Sequence, residues 1–492
     1  MRNLCLLLKL HLNEEFRFSV FSHEKNPLKK MGFVLKNLVL VCMLLVVALL
    51  SFQAGKLLVS YGLGEAIPLV GYIIGSVVTL VVTILKINEI LAGKSDAEFL
   101  MSLPMGTFLH VVCIFLRLYV WNTLLVALTN IPMVMAYIDE GLAVENFIPT
   151  WVVGLLFTCL PLTGMAALVG TVLALCLASL RKSNFVQSIV ILSVLAATGI
   201  TVLKIIYCVK NVLAAAGDVQ DVIRVITMNF RAGRLYQGGV ILHSPGSLFL
   251  FIVYSVVWFL LFTFLISMSY QEVILALRAP KNFIEYDFCI QEQCRVSKAV
   301  SKRLWDQWLQ SRSYMASTLI GPLFALLISG FFLITKGSGI REILSAQGNL
   351  AYLSVPLFLC ALIGMGCNTY CGLSMEGKQH WIMQTIPVDE KEIYTQKIIM
   401  NLWITEPVAL ICGIMLWISI KPPVLIGICY SIVPIVYGLL SAIWGMWIDV
   451  RHVDYSLDTE NQVLRQSISF YLGWLPGVLL PLLLGVLFAV GA

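Results

Sequence analysis

The triplet Gly93-Lys94-Ser95 is the end of a nucleotide-binding P-loop, and a complete one would make this chain an ATPase. Such a loop needs Gly-x-x-x-x-Gly-Lys-Ser/Thr after a strand, because the glycine-rich turn aims backbone N–H groups at phosphates. Five residues before Gly93 stands Asn88, and the preceding apolar run ends at Lys86 with the character of a membrane helix. The nucleotide reading fails. Metal chemistry fares no better. The close pairs Cys367–Cys371 and Cys289–Cys294 lack a second pair or a histidine at zinc-site spacing. The six histidines (His11, His23, His110, His243, His380 and His452) are scattered, so a general base has no partner in reach. His-Glu-x-x-His is absent, and Glu14-Glu15 is followed by Ser19 where a Glu-Glu-x-x-x-Arg intramembrane protease has arginine. Catalytic and cofactor-binding residues are therefore not expected.

One acid stands apart. Glu406, followed by Pro407, lies inside the apolar run 399–420. Charge in a bilayer is costly and often functional, and Pro407 frees a carbonyl on the preceding turn. Glu406 is either a gate or substrate contact, or a carboxylate near the inner interface, snorkelling or paired with Lys397 or Asn401.

The elements that carry these residues follow from composition. Hydrophobic residues make up 59% of 492 positions and charged ones 12%, with mean hydropathy +0.91. A soluble chain carries about 25% charged residues. The apolar residues fall in runs of about 20, enough to cross a bilayer as helix. The pattern predicts an all-α polytopic membrane protein. Spans are expected at 38–54, 66–85, 118–137, 150–179, 185–206 and 247–268, then at 314–335, 350–371, 399–420, 424–448 and 468–491. The run 150–179 is long enough to tilt or to break near Pro161 and Gly164. A polar, basic stretch before the first span gives no sign of a cleavable signal peptide.

With the N-terminus in the cytoplasm, the inside segments hold 24 of the 33 Lys and Arg residues. The net charge of +6 then reflects a cytoplasmic face suited to anionic lipid headgroups, not a nucleic-acid partner. "MRNLCLLLKLHLNEEFRF" is either an amphipathic helix on that face, with Leu4, Leu7, Leu8 and Leu12 about a turn apart, or an unstructured tail. Most of the thirteen cysteines lie in or beside apolar spans, where Cys acts as a small hydrophobe.

The stretch after Gly93 nearly recurs. "GKSDAEFLMSLPMG" (93–106) and "GKQHWIMQTIPV" (377–388) each run from Gly-Lys through a short apolar patch to Pro and then into a membrane helix. Leu100, Met101, Leu103, Pro104 and Met105 match Met383, Gln384, Ile386, Pro387 and Val388. Each copy lies between the second and third spans of its half, which points to an internal duplication. In the second copy Asp389 and Glu392 form an Asp-x-x-Glu helix start. Trp381, Ile382 and Ile386 make an apolar patch that is either a knob for a partner's groove or a group resting in the interface.

The segment "SMEGKQHWIMQTIPVDEKEIYTQKIIMNLWI" (374–404) resembles the cytoplasmic signature of bacterial ABC type-2 exporter permeases. The matching residues are Glu376, Gly377, Lys378, Trp381, Ile386, Pro387 and Lys397. The first copy is similar at Ser102, Leu103 and Pro104, and a weaker echo runs through Asp449, Glu460, Arg465 and Gln466. The echo lacks the Pro and Trp of the family pattern. The resemblance implies a multi-pass permease of the bacterial plasma membrane, without an ATPase domain, that moves a substrate outward. It implies a separate cytoplasmic ABC ATPase, as a dimer, holding the ATP and Mg. Leu103, Pro104, Met105, Trp381, Ile386, Pro387 and Val388 would then couple to that partner. The apolar runs give eleven spans and the resemblance implies six in each half, so about 11–12 are expected in two similar halves. The first is 1–290, an interfacial helix plus six spans; the second is 291–492, an interfacial helix that the basic residues and "KRLWDQWLQSR" suggest, plus five or six. Two other readings stay open: an ion-coupled secondary transporter, which would want a residue such as Glu406, and a polytopic membrane enzyme.

Overall fold

The computed structural model describes residues 27–60, 64–92, 107–141, 147–179, 231–278, 295–337, 351–381, 388–455 and 467–490, with isolated positions around 189–200, 341–344, 385 and 463–464. Among the described residues all regular structure is helical, and nine helices are long and apolar enough to cross a membrane. The chain is an all-α polytopic membrane protein. The N-terminal amphipathic segment lies outside the described residues, and most of the expected span 185–206 falls outside them.

The helices are α1 (Pro27–Ser60), α2 (Ile67–Ala92), α3 (Thr107–Asp139), α4 (Phe147–Ser179), α5 (Arg231–Tyr236), α6 (Pro245–Arg278), α7 (Val296–Gln310), α8 (Arg312–Ile334), α9 (Ser354–Met365), α10 (Glu390–Ile420), α11 (Val424–Arg451), α12 (Ile468–Trp474) and α13 (Leu480–Val490). A π-helical turn, Leu475–Leu479, runs α12 into α13 as one span. Several helices outrun the apolar stretches that mark them. α10 begins at Glu390, nine residues before its apolar run, and α3 begins at Thr107. Helices of 31 to 34 residues are roughly 46–51 Å long at 1.5 Å per residue. That exceeds a hydrocarbon core of about 30 Å, so their ends reach the polar layers or the helices tilt.

The chain divides into two compact units. One comprises residues 1–22, 44–181 and 204–281; the other comprises 23–43, 182–203 and 282–492. In the first, α4 packs along α2 and α6, and α3 packs on all three. Lipid tails supply no hydrophobic drive between helices, so close packing and interhelical hydrogen bonds hold them. Phe115, Leu118, Ala167, Phe259 and Ile274 fill one interior layer; Tyr137, Phe147, Tyr236 and Phe251 fill another. Between α3 and α2, Asn122 Nδ2 donates to Thr83 Oγ1 at 2.7 Å; such bonds are worth about 0.6 kcal/mol in membranes. α4 is continuous through Pro161 and Gly164, so of the tilt or break expected there the break does not occur. Membrane helices tolerate proline because neighbouring groups re-satisfy the freed backbone.

In the second unit α10 packs against α8 and α11, and α9 packs against α11 and α13. α7, in the "KRLWDQWLQSR" region, buries Val300, Leu304 and Trp308, four residues apart, against Met315 of α8 and Met400 of α10. Trp308 Nε1 donates to Thr318 Oγ1 at 2.8 Å, so the indole is buried without losing its bond. The outward faces of α10 and α11 carry Trp403, Ile411, Ile418, Ile432 and Trp444, all exposed, as a lipid-facing surface requires.

The expected span 350–371 is corrected. Its helical part runs only from Ala351 to Met365, about 22 Å, and breaks at Gly366. Cys367, Tyr370 and Cys371 read as span residues because they are apolar, yet they are apolar because protein surrounds them.

Candidate functional site

The connector 366–381 between α9 and α10 is where the polar chemistry of the second unit collects. After Gly366 the chain makes a 3-10 turn at Asn368–Tyr370, a bend, and a second 3-10 stretch at Ser374–Gln379. Cys367 and Cys371 therefore do not share a helical face. Residues 366 to 374 are all buried. Buried backbone outside regular α-helix needs partners for its N–H and C=O groups, and the donors and acceptors are identifiable here.

Asn368 N–H donates to Asn401 Oδ1 at 3.0 Å, and Thr369 Oγ1 donates to the Ala442 carbonyl at 2.9 Å. Asp449 accepts twice, from Leu373 N–H at 2.6 Å and from Ser374 Oγ at 2.8 Å. Lys397 Nζ donates to the Gly372 carbonyl at 2.7 Å and to Glu376 Oε1 at 2.6 Å. The other Glu376 oxygen meets His380 Nδ1 at 3.2 Å. The His380 ring stacks on Tyr455, centroids 4.1 Å apart. The connector is thus tied to α10 through Asn401 and Lys397, and to α11 through Ala442 and Asp449.

The sequence provides for this on the buried face of α10. Lys397, Asn401 and Thr405 recur every four residues, so one stripe of an apolar helix is polar and points inward. Gly377 provides the bend. Its φ of 49° and ψ of −136° lie in a region that residues with a Cβ avoid. The helix start expected at Asp389 is present, but the Asp389 side chain caps nothing. The Glu392 N–H bonds the Asp389 carbonyl instead, and the Glu392 carboxylate accepts from Gln396 Nε2 at 3.0 Å.

Burial by itself would raise Glu376. The charge and hydrogen bond of Lys397, helped by His380 and the charge of Arg303, outweigh it and hold Glu376 below the ordinary carboxylate range. Burial, then the negative charge of Glu376 and Asp449, pushes Tyr455 up to about 12. Beside the network lies a recess of about 530 Å³ whose lining includes Glu376, His380, Val388, Glu390, Tyr394 and Tyr455. Among the described residues no three His, Cys, Asp or Glu side chains are grouped to hold a metal.

Of the residues expected to couple to a partner, Trp381 is 62% exposed. Val388 lines the recess and packs against the α7 core of Val300, Leu304 and Trp308. Leu103, Pro104, Met105, Ile386 and Pro387 lie outside the described residues, as do Gly93-Lys94-Ser95 and the echo residues Glu460, Arg465 and Gln466. Glu406 is not paired with Lys397 or Asn401: the first is held by Glu376 and Gly372, the second by Asn368. Both Glu406 oxygens are buried without a hydrogen-bond partner among the described residues. Sequence reasoning missed Asn368, Thr369 and Ser374, and it offered Asn401 as a partner to Glu406 rather than to Asn368; the four-residue polar stripe on α10 was the available signal.

Fold and site together define a polytopic helical membrane protein whose second unit holds a buried connector of 3-10 turns between two α-helices. No family model, curated protein or solved structure matches the chain.

Proposed function

We propose that the chain is the permease subunit of an ABC exporter, moving a substrate outward across a bacterial plasma membrane while a separate ATPase dimer hydrolyses ATP beneath it. The observation that carries this reading is the double anchoring of the connector 366–381. Glu376 and Gly372 fasten it to Lys397 of α10, and Leu373 and Ser374 fasten it to Asp449 of α11. A force applied at exposed Trp381 reaches two long apolar helices through short charge-assisted bonds rather than through a slack loop. The resemblance of Glu376, Gly377, Trp381 and Lys397 to the exporter signature supports the same reading. In it the connector faces the cytoplasm, the N-terminus is cytoplasmic, and Val388 and Trp381 form part of the docking surface. An ATP-bound dimer would favour one membrane conformation by binding it better, and that differential affinity supplies the shift.

The test is co-purification of an ATPase with the full chain, followed by the V388D and W381D variants. Loss of the partner with unchanged thermal unfolding supports the reading; normal transport and normal ATPase association in both variants overturn it. Glu406, unpaired within α10, favours a second reading, an ion-coupled secondary transporter. That reading predicts uptake or efflux by the purified chain alone in vesicles under an imposed proton or sodium gradient.

A further inference from the structure

Glu406 and Asp449 are both acids on the long apolar helices of the second unit, and they are treated oppositely. Asp449 accepts two hydrogen bonds, from Leu373 N–H and Ser374 Oγ. Among the described residues Glu406 accepts none, although both its oxygens are closed off from solvent. It stands sixteen residues into the thirty-one-residue α10, so it is far from either end. On the facing helix stands Gly438. A Cβ there would lie 2.6 Å from Glu406 Oε1 and 3.7 Å from Ile363 of α9, so the absent side chain is the space the carboxyl fills.

An isolated carboxylate in a site closed to water costs far more than an unbonded neutral carboxyl group does. The difference decides the form: the group has to be neutralised. The titratable side chains on the elements packed against α10 include Tyr314 on α8, Cys360 on α9, Tyr370 on the connector, and Tyr430, Tyr437 and Asp449 on α11; none bonds Glu406. The Tyr437 hydroxyl donates to the Pro476 carbonyl at 2.5 Å. Asp449 and Arg451 are eleven and thirteen residues beyond Gly438, roughly 17–20 Å along the helix. The basic residues of α7, such as Arg303, ride on the helix that covers Met400, toward the Lys397 end of α10. A metal cation is the wrong neutraliser, because hard cations take about six or more oxygens and this site offers two.

We propose that Glu406 is a proton-binding site: in this conformation it is a neutral carboxylic acid, and it ionises when α10 and α11 part at Gly438. On opening, the carboxyl O–H bond breaks and the proton passes to water; on closing, the carboxylate takes a proton back from water. Closure therefore consumes a proton, and acid favours the closed arrangement. The inference stands whether or not an ATPase drives the chain.

The test is infrared spectroscopy of the full chain in phospholipid vesicles, titrated from acid to alkali. A carbonyl band of an unbonded carboxylic acid is expected near neutral pH, unchanged by added sodium and absent in E406Q. E406Q should unfold at the wild-type temperature, since one neutral side chain replaces another. Absence of that band at neutral pH in the wild type, with a carboxylate signal there that E406Q removes, overturns the proposal. So does displacement of the acid band by sodium, which would make this a cation site, and so does failure of E406Q to fold.

Discussion

Lys397 Nζ lies 2.6 Å from Glu376 Oε1, and both side chains are almost wholly buried. The pair joins the connector to α10 across twenty-one residues of sequence. Removing one partner of a buried pair leaves the other charge uncompensated, at about 3–5 kcal/mol, whereas an apolar replacement of both is often tolerated. K397M should therefore lower the thermal stability of the detergent-solubilised chain by about that amount. K397M/E376M should recover much of it. A double variant as unstable as K397M would show that Lys397 acts mainly through the Gly372 carbonyl.

The same pair sets a pH dependence. Glu376 is held below its ordinary range in the folded chain, so the folded state binds fewer protons there than the unfolded state does. Stability then rises with pH across that window. The contribution is complete above the unfolded carboxylate value of about 4.3, and it is lost as pH falls through the depressed folded value. Unfolding temperature measured from neutral to strongly acidic pH should fall more steeply for wild type than for E376Q, and only at the acidic end. Parallel curves would remove Glu376 from the account.

Asp449 holds the connector by accepting from Leu373 N–H and Ser374 Oγ. Asparagine keeps one carbonyl oxygen for the backbone N–H, and its amide can donate to the serine hydroxyl. Leucine satisfies neither, and an unsatisfied buried donor costs about 1–3 kcal/mol. D449L should therefore destabilise by at least that amount, and D449N by clearly less. Equal losses in the two variants would mean that the charge of Asp449, rather than its acceptor geometry, holds the connector.

What could be read in advance divides along a physical line. Hydropathy found the middles of the long helices because lipid demands apolar side chains there, as at 424–448 against the observed Val424–Arg451. It did not find the beginning of α10, because residues 390–398 are charged yet still helical, and helicity outlasts the hydrocarbon. It took 366–371 for the end of a span because Cys367, Tyr370 and Cys371 are apolar, and apolarity does not tell burial in protein from burial in lipid. Glu376 and Lys397 were visible as members of a pattern. Their mutual contact was not, because it depends on how the chain turns at Gly377.

That turn yields the last prediction. Gly377 has φ 49° and ψ −136°, so its φ is left-handed but its ψ is far from the left-handed helical value near +47°. Asparagine tolerates the left-handed helical region better than other residues do, yet it gains nothing at this ψ. G377A and G377N should both cost about 1–3 kcal/mol, the usual toll of a backbone held where a Cβ is unwelcome. Both should also loosen the Glu376–Lys397 pair, because the bend at Gly377 comes directly after Glu376. The measurement is thermal unfolding of the three chains side by side, with the acid-end pH dependence as a second readout. If G377N unfolds at the wild-type temperature, the backbone at 377 has relaxed to the left-handed helical well and the bend as described is wrong. If both variants are destabilised but keep the wild-type acid profile, the bend does not position Glu376.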